Sequence, residues 1–236
     1  MNSHIKYNLK ETLDSISTEC ISSNREIGEV KLLAVSKTFP IEDVKTAYDC
    51  GQLRFGENKV QELEKKVPNL PNNIEWHLIG HLQSNKVTKA VELADYIHAV
   101  DSIKLIKRID KLSEEAGKAP KFMLEVNISG EESKFGVTIP HLSQCAEAAG
   151  LCKHAKFVGL MTMAPFDADE KVLTDIFSTL RKLRDQLQSE LNLQLPELSM
   201  GMSSDFNIAI KEGATMVRIG TSVFGKRSYS EPHNLR

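Results

Sequence analysis

The chain has 236 residues, 30 Lys+Arg against 32 Asp+Glu, a formal net charge of −2 and 41% hydrophobic residues. This composition excludes a disordered or collagen-like chain, and the near-neutral balance gives no bulk electrostatic pull toward nucleic acid or an anionic membrane. A small phosphorylated ligand stays open, because it needs only a local site.

The first residues lack the apolar core of a secretory leader, and no stretch approaches the ~18 consecutive apolar residues of a membrane span, so a cytoplasmic protein is expected. Cys20, Cys50, Cys145 and Cys152 form no C-x-x-C pair. They read as small buried or half-buried hydrophobes in a reducing compartment.

Residues 8–25 place Leu9, Leu13, Ile16, Cys20 and Ile21 at three- and four-residue spacing, which predicts an amphipathic helix. The pattern then changes. Short apolar runs stand at 32–36, 53–55, 76–79, 96–100, 122–128, 157–163, 198–202 and 216–219. The segments between them, at 41–50, 60–66, 84–93, 103–116, 139–149, 169–191 and 204–211, carry helical spacing. Alternating strands and helices predict an α/β fold with a parallel sheet, and eight repeats predict a (β/α)8 barrel of the TIM type. No G-x-G-x-x-G follows a predicted strand, which argues against a doubly wound sheet. No linker divides the chain, so 1–236 reads as one domain, with the barrel at about 30–226 behind an N-terminal helix at about 8–25.

A parallel barrel carries its function at the C-terminal ends of its strands. Lys37 follows the first run, where it either snorkels to the rim or projects into the mouth and forms a Schiff base with an aldehyde. Gly220, Thr221 and Ser222 end the last run, and Gly201, Ser203 and Ser204 end the run before it. Such loops either hold a phosphate or cap helices. A barrel lysine and a phosphate cup together fit pyridoxal 5′-phosphate (PLP). Arg218 lies two residues before Gly220, on the same strand face. It either makes an ion pair within the barrel or meets the pyridine nitrogen, which it would leave unprotonated and a weaker electron sink. His77 and His81 lie four apart on a strand and turn, where two imidazoles do not converge on one metal, and no metal site is expected. Met161 and Met163 read as core or as a floor under a ring.

The stretches LLAVSKTFP, FGENKVQE, WHLIGHLQSNK, VNISGEESKFGV, GLMTMAP and SMGMSSDFNIAIKEGATMVRIGTSVFG together resemble the pyridoxal phosphate homeostasis protein family, from about Leu32 to Gly225. The resemblance implies a PLP-binding barrel of the kind found in the N-terminal domain of alanine racemase. It implies that Lys37 carries PLP as a Schiff base and that Ser203, Gly220 and Thr221 hold the phosphate. It also implies that Arg218 approaches the pyridine nitrogen, and that Asn58 and Met161 neighbour the ring. Lys59, Phe135 and Phe39 depart from the family pattern and bear on rim contacts, away from Lys37 and the phosphate loops.

Alanine racemase adds a second domain and a tyrosine from its partner subunit as an opposed acid/base. Here Tyr229 lies in a polar tail, with no further domain to place it over a substrate. Two-base racemisation needs a positioned group on each face of the cofactor. The expectation is therefore a non-catalytic, monomeric PLP-binding protein of vitamin B6 homeostasis, with PLP-dependent apo-enzymes as candidate partners. The alternatives are a weak PLP-dependent amino-acid racemase and a cofactor-free Schiff-base aldolase.

Overall fold

The computed structural model describes residues 3–131 and 134–225. Tyr229 lies outside the described residues. The strands are β1 (Lys31–Val35), β2 (Arg54–Glu57), β3 (Glu75–Leu78), β4 (Tyr96–Val100), β5 (Lys121–Asn127), β6 (Val137–Thr138), β7 (Lys156–Met161), β8 (Glu197–Met202) and β9 (Met216–Ile219). The helices are α1 (Ser3–Ser22), α2 (Ile41–Asp49), α3 (Val60–Lys66), α4 (Val87–Leu93), α5 (Ile103–Ala116), α6 (Ile139–Gly150), α7 (Glu170–Leu191), α8 (Phe206–Lys211) and α9 (Thr221–Phe224).

Eight strands run in the order β4-β3-β2-β1-β9-β8-β7-β5, and a β4–β5 pairing closes the ring. Every neighbouring pair is parallel, so this is the expected eight-stranded barrel. The two-residue β6 pairs with the end of β5 and is too short to leave a sequence signal.

Strand alternation sorts the core into two layers. Leu33 and Val35 cluster with Ile79, Met123, Met161 and Met216 inside the barrel. Leu32, Ala34, Leu198 and Val217 belong to the layer shared with the surrounding helices. Both faces are buried, which is why these strands read as continuous apolar runs, each large side chain contributing about 1.5–3 kcal/mol.

The helices begin and end where the local chemistry dictates. Asp169 caps α7, its carboxylate accepting the Val172 N–H at 2.8 Å, so the helix starts one residue later than its pattern. Ser102 caps α5 in the same way, and Gly117, at φ 61°, ends it. Cys50 follows the end of α2 and is exposed, unlike the buried Cys20 and Cys145.

The first helix differs from expectation. It starts at Ser3, and Ile5, Leu9, Thr12, Ile16 and Cys20 make its buried stripe. Leu13 and Ile21 are 41% and 61% exposed, because each sits one residue beyond the stripe, about 100° around the helix. α1 packs on α2, α8 and α9. Arg25 then ties the following turn to the barrel wall, donating to the carbonyls of Ile210 (2.9 Å) and Ala214 (2.7 Å). Among the described residues no helix is long and apolar enough to cross a membrane.

Candidate functional site

A cavity of about 650 Å³ opens at the C-terminal ends of the strands. Lys37, Asn58, Ser203, Arg218, Gly220 and Thr221 line it together. Met161 does not. It is wholly buried in the interior layer below, and Met163, two residues further along and 43% exposed, lines the cavity instead. Met161 is the last residue of β7, and Met163 lies beyond the strand in the loop that follows it.

The backbone around Lys37 is held from both sides. Ser36 is fully buried; its N–H donates to the Gly56 carbonyl at 3.0 Å and its hydroxyl to Glu57 Oε1 at 2.6 Å. The buried Lys66 ammonium on α3 donates to the Ser36 carbonyl (2.8 Å), to Glu57 Oε1 (2.7 Å) and to Glu62 Oε2 (3.3 Å). Beyond Lys37, Thr38 takes a left-handed conformation at φ 71°, and its N–H donates to the Glu62 carboxylate at 3.0 Å. A non-glycine residue in that region persists only where its surroundings over-determine it. Burial, and then the facing Glu62, push the Glu57 carboxyl up to about 8 against the pull of Lys66 and Ser36, so it is protonated at neutral pH. Burial also works upward on Glu62, but hydrogen bonds to Glu57, Thr38 and Lys66 outweigh it and hold this carboxyl below the usual range. One proton thus serves two facing carboxyl groups, and one net negative charge meets Lys66.

Across the mouth the parts are neutral. Gly220 caps α9, and a Cβ there would come within 3.0 Å of the Val35 carbonyl, so glycine lets the end of β9 lie against β1. The Thr221 and Ser222 N–H groups open α9 and have no acceptor within it. Ser203 and Ser204 add hydroxyls from the loop after β8. Gly80 works similarly at Asn58, where a Cβ would run into the Asn58 carbonyl.

Arg218 reaches the cavity from inside the barrel and is 5% exposed. Its Nη1 donates to Ser199 Oγ and its Nη2 to the Thr162 carbonyl, both at 2.8 Å. Burial lowers its pKa to about 10, opposed by Asp205 and Glu125, so it stays charged at neutral pH.

The sequence marks His81 only as a strand-end residue and Phe135 and Phe39 only as departures from the family pattern, and all three line the cavity. His81 stacks on Phe135, with ring centroids 3.9 Å apart, and its Nδ1 lies 3.4 Å from Asp101 Oδ2. His77, on β3 itself, points into the barrel, bonded to His98 and Glu75. Among the described residues no group of three or more His, Cys, Asp or Glu could hold a metal ion. Phe39 lines the cavity and stacks on Phe224 at 5.0 Å. Two of the departures from the family pattern therefore face the cavity, and Phe39 also packs against α9. Sequence reading had placed them at the rim because contacts across the mouth are not local.

The described lining has two cationic side chains, Lys37 and Arg218, and no carboxylate. Apolar walls from Val35, Ile79, Met163 and Phe166 surround a set of hydroxyl and amide donors. That donor set suits an anion joined to a flat ring, and the amine of Lys37 suits an aldehyde on it.

These features define a barrel of the alanine racemase N-terminal domain class, and the family model described as "Alanine racemase, N-terminal domain" matches residues 12–228. The alanine racemase of Corynebacterium glutamicum shares the fold at a TM-score of 0.74 with 16% identity, over 100% of this chain and 64% of that one. The chain belongs to the pyridoxal phosphate homeostasis protein family: it is 42% identical over 222 residues to the pyridoxal phosphate homeostasis protein of Aquifex aeolicus, covering 94% of this chain and 97% of that protein. PipY of Synechococcus elongatus PCC7942, whose structure was solved with PLP bound, is 39% identical with a TM-score of 0.80, over 89% of this chain and all of that one.

Proposed function

We propose that the chain binds PLP at Lys37 and serves PLP homeostasis as a holding and delivery protein rather than as an enzyme. The observation that carries this reading is the convergence, in one cavity, of a lysine amine, a buried arginine and two hydroxyl loops, with no described carboxylate to repel an anion. Bound PLP supplies an electrophilic aldehyde and an electron-accepting ring. Lys37 would hold the aldehyde carbon. Ser203, Thr221 and the amides that open α9 would hold the phosphate, whose charge strengthens each hydrogen bond. Arg218 would donate to the ring nitrogen, and its donor-only guanidinium keeps that nitrogen unprotonated. Asn58 and Met163 would border the ring.

The same arginine supports the non-catalytic reading, because an unprotonated ring withdraws electrons weakly. The described tyrosines support it too. Tyr7, Tyr48 and Tyr96 all lie outside the cavity lining, so none of them faces Lys37 across it. His81 favours the second reading, a weak racemase, since it is an imidazole in the cavity beside a carboxylate.

The test is borohydride reduction of the PLP-loaded protein followed by peptide mass mapping. The pyridoxyl mass should fall on Lys37 and disappear in Lys37→Ala, while that variant retains weak phosphate-dependent binding. Modification of another lysine would overturn the assignment. Delivery is tested by transfer of bound PLP to an apo-enzyme in the presence of a trap for free PLP. Racemisation of alanine or serine at the ordinary enzyme rate of about 1–10³ s⁻¹, lost in Lys37→Ala, would favour the enzyme.

A further inference from the structure

A line of polar side chains runs through the apolar interior of the barrel, from the cavity to the opposite end. Arg218 Nη1 donates to Ser199 Oγ at 2.8 Å. Ser199 Oγ lies 3.0 Å from His98 Nδ1, His98 Nε2 lies 2.8 Å from His77 Nδ1, and His77 Nε2 lies 3.1 Å from Glu75 Oε1. Ser199, His98 and His77 are each 0% exposed. Glu75 begins β3 at the N-terminal end of the barrel, where Arg54 Nε also donates to it at 3.1 Å. Polar groups in such a core are costly unless each is satisfied.

The direction of the protons follows from the far end. The hydrogen bond from His77 holds the Glu75 carboxyl at about 2 despite its partial burial, so it only accepts. His77 must then carry its proton on Nε2. Burial lowers the pKa of His77, and lowers that of His98 well below the usual value, so both rings are neutral. A neutral His77 accepts at Nδ1, which puts the His98 proton on Nε2. His98 then accepts at Nδ1, and the Ser199 hydroxyl proton points to it. The lone pairs of Ser199 Oγ are left to receive Arg218. Four hydrogen bonds therefore run in one sense, from the guanidinium to the carboxylate. Together with the Thr162 carbonyl, Ser199 occupies two donor positions of the guanidinium and fixes its plane.

We propose that Ser199, His98, His77 and Glu75 form a directed relay that positions Arg218 for the ring nitrogen of PLP, so that the barrel interior sets the geometry of the cofactor site. This role rests on the PLP reading above. The four are positioning residues, since only Arg218 lines the cavity.

The first arm of the test needs no cofactor. Long-range proton–nitrogen NMR on nitrogen-15 histidine-labelled apo-protein, assigned with His77→Gln and His98→Gln variants, reads each ring's tautomer at neutral pH. The relay requires neutral rings with Nε2–H on both, and a coupling between His98 Nε2 and His77 Nδ1 across their shared proton. An Nδ1–H form of His98, or an imidazolium at His77, would reverse the line and overturn the proposal.

The second arm follows PLP on the loaded protein by its visible absorbance and by its rate of loss to a trap. Ser199→Ala should speed loss by about tenfold, the lower end for a hydrogen bond to a charged group, and shift the band. Ser199→Thr keeps the hydroxyl and should restore both. Unchanged loss and spectrum in Ser199→Ala, in a protein whose wild type holds PLP, would overturn the positioning role. Failure of the wild type to hold PLP would instead bring down the functional reading and this role with it, leaving the NMR result intact.

Discussion

On the β1–β2 side of the mouth, Lys37 is held by charges: a buried ammonium, two facing carboxyl groups and a buried hydroxyl grip the backbone before and after it. On the β8–β9 side, the loops that face it offer only hydroxyls, amides and glycine. In the first arrangement the Lys66 ammonium finds its acceptors within the protein, in the Ser36 carbonyl and the carboxyl groups of Glu57 and Glu62. The second presents hydroxyl and amide donors to the cavity. The comparison teaches that the Lys37 side is built for rigidity, and that under the proposed function the side facing it is built for affinity. Substitutions on the two sides should therefore fail in different assays.

Lys66→Met is expected to have the largest effect. Removing one partner of a buried ion pair costs about 3–5 kcal/mol, and the Ser36 carbonyl loses its donor as well. Urea unfolding should record the loss even in apo-protein. A variant of wild-type stability would show that the charged side is ornamental.

Glu57→Gln sharpens the same side through pH. The folded pKa of Glu57, about 8, lies above its ordinary 4.5. A raised carboxyl pKa means that the unfolded chain releases this proton first, so stability is full below about pH 4.5 and declines as pH rises toward 8. The decline should be on the order of 3 kcal/mol, since each unit of separation is worth about 1.4 kcal/mol and relaxation absorbs part of it. Thermal midpoints between pH 5 and 8 should fall in wild type and flatten in Glu57→Gln. Parallel curves would mean that Glu57 ionises without penalty.

On the neutral side, Ser203→Ala and Thr221→Ala should each weaken PLP retention by about 1.5–3 kcal/mol, with urea stability nearly unchanged. Equal losses in both assays would erase the contrast between the two sides. The smallest effect is expected at Phe135→Ala. This ring is 54% exposed and stacks on His81, so the change should cost under about 1 kcal/mol and alter PLP release by no more than a few-fold. A large acceleration of release would make Phe135 a cover over the cavity.

How much of this was legible beforehand divides by range. The eight strands and their helices were readable, because alternation of period 2 and spacing of 3.6 are properties of neighbouring residues. Lys37, Ser203, Gly220 and Thr221 could be picked out as strand-end residues, and the structure gathers them in one cavity. The start of α1 was missed because Ile5 stands alone in a polar stretch, and only packing on α8 and α9 shows which stripe faces inward. Met161 and Met163 fall in one apolar run, and pattern could not show that the strand ends at Met161, in the core layer, and leaves Met163 to the loop that lines the cavity.

The sequence by itself determined the barrel and the chemical types at the ends of its strands, because both are set within a few residues. Tertiary structure alone decided the grip on Lys37 and the line behind Arg218. His77 and His98 are 21 residues apart in the chain, His98 and Ser199 are 101 apart, and Ser199 and Arg218 are 19 apart. No local pattern joins them. They meet because the ring closes between β4 and β5, which turns inward-facing residues of distant strands into neighbours and leaves their polar atoms only one another to bond.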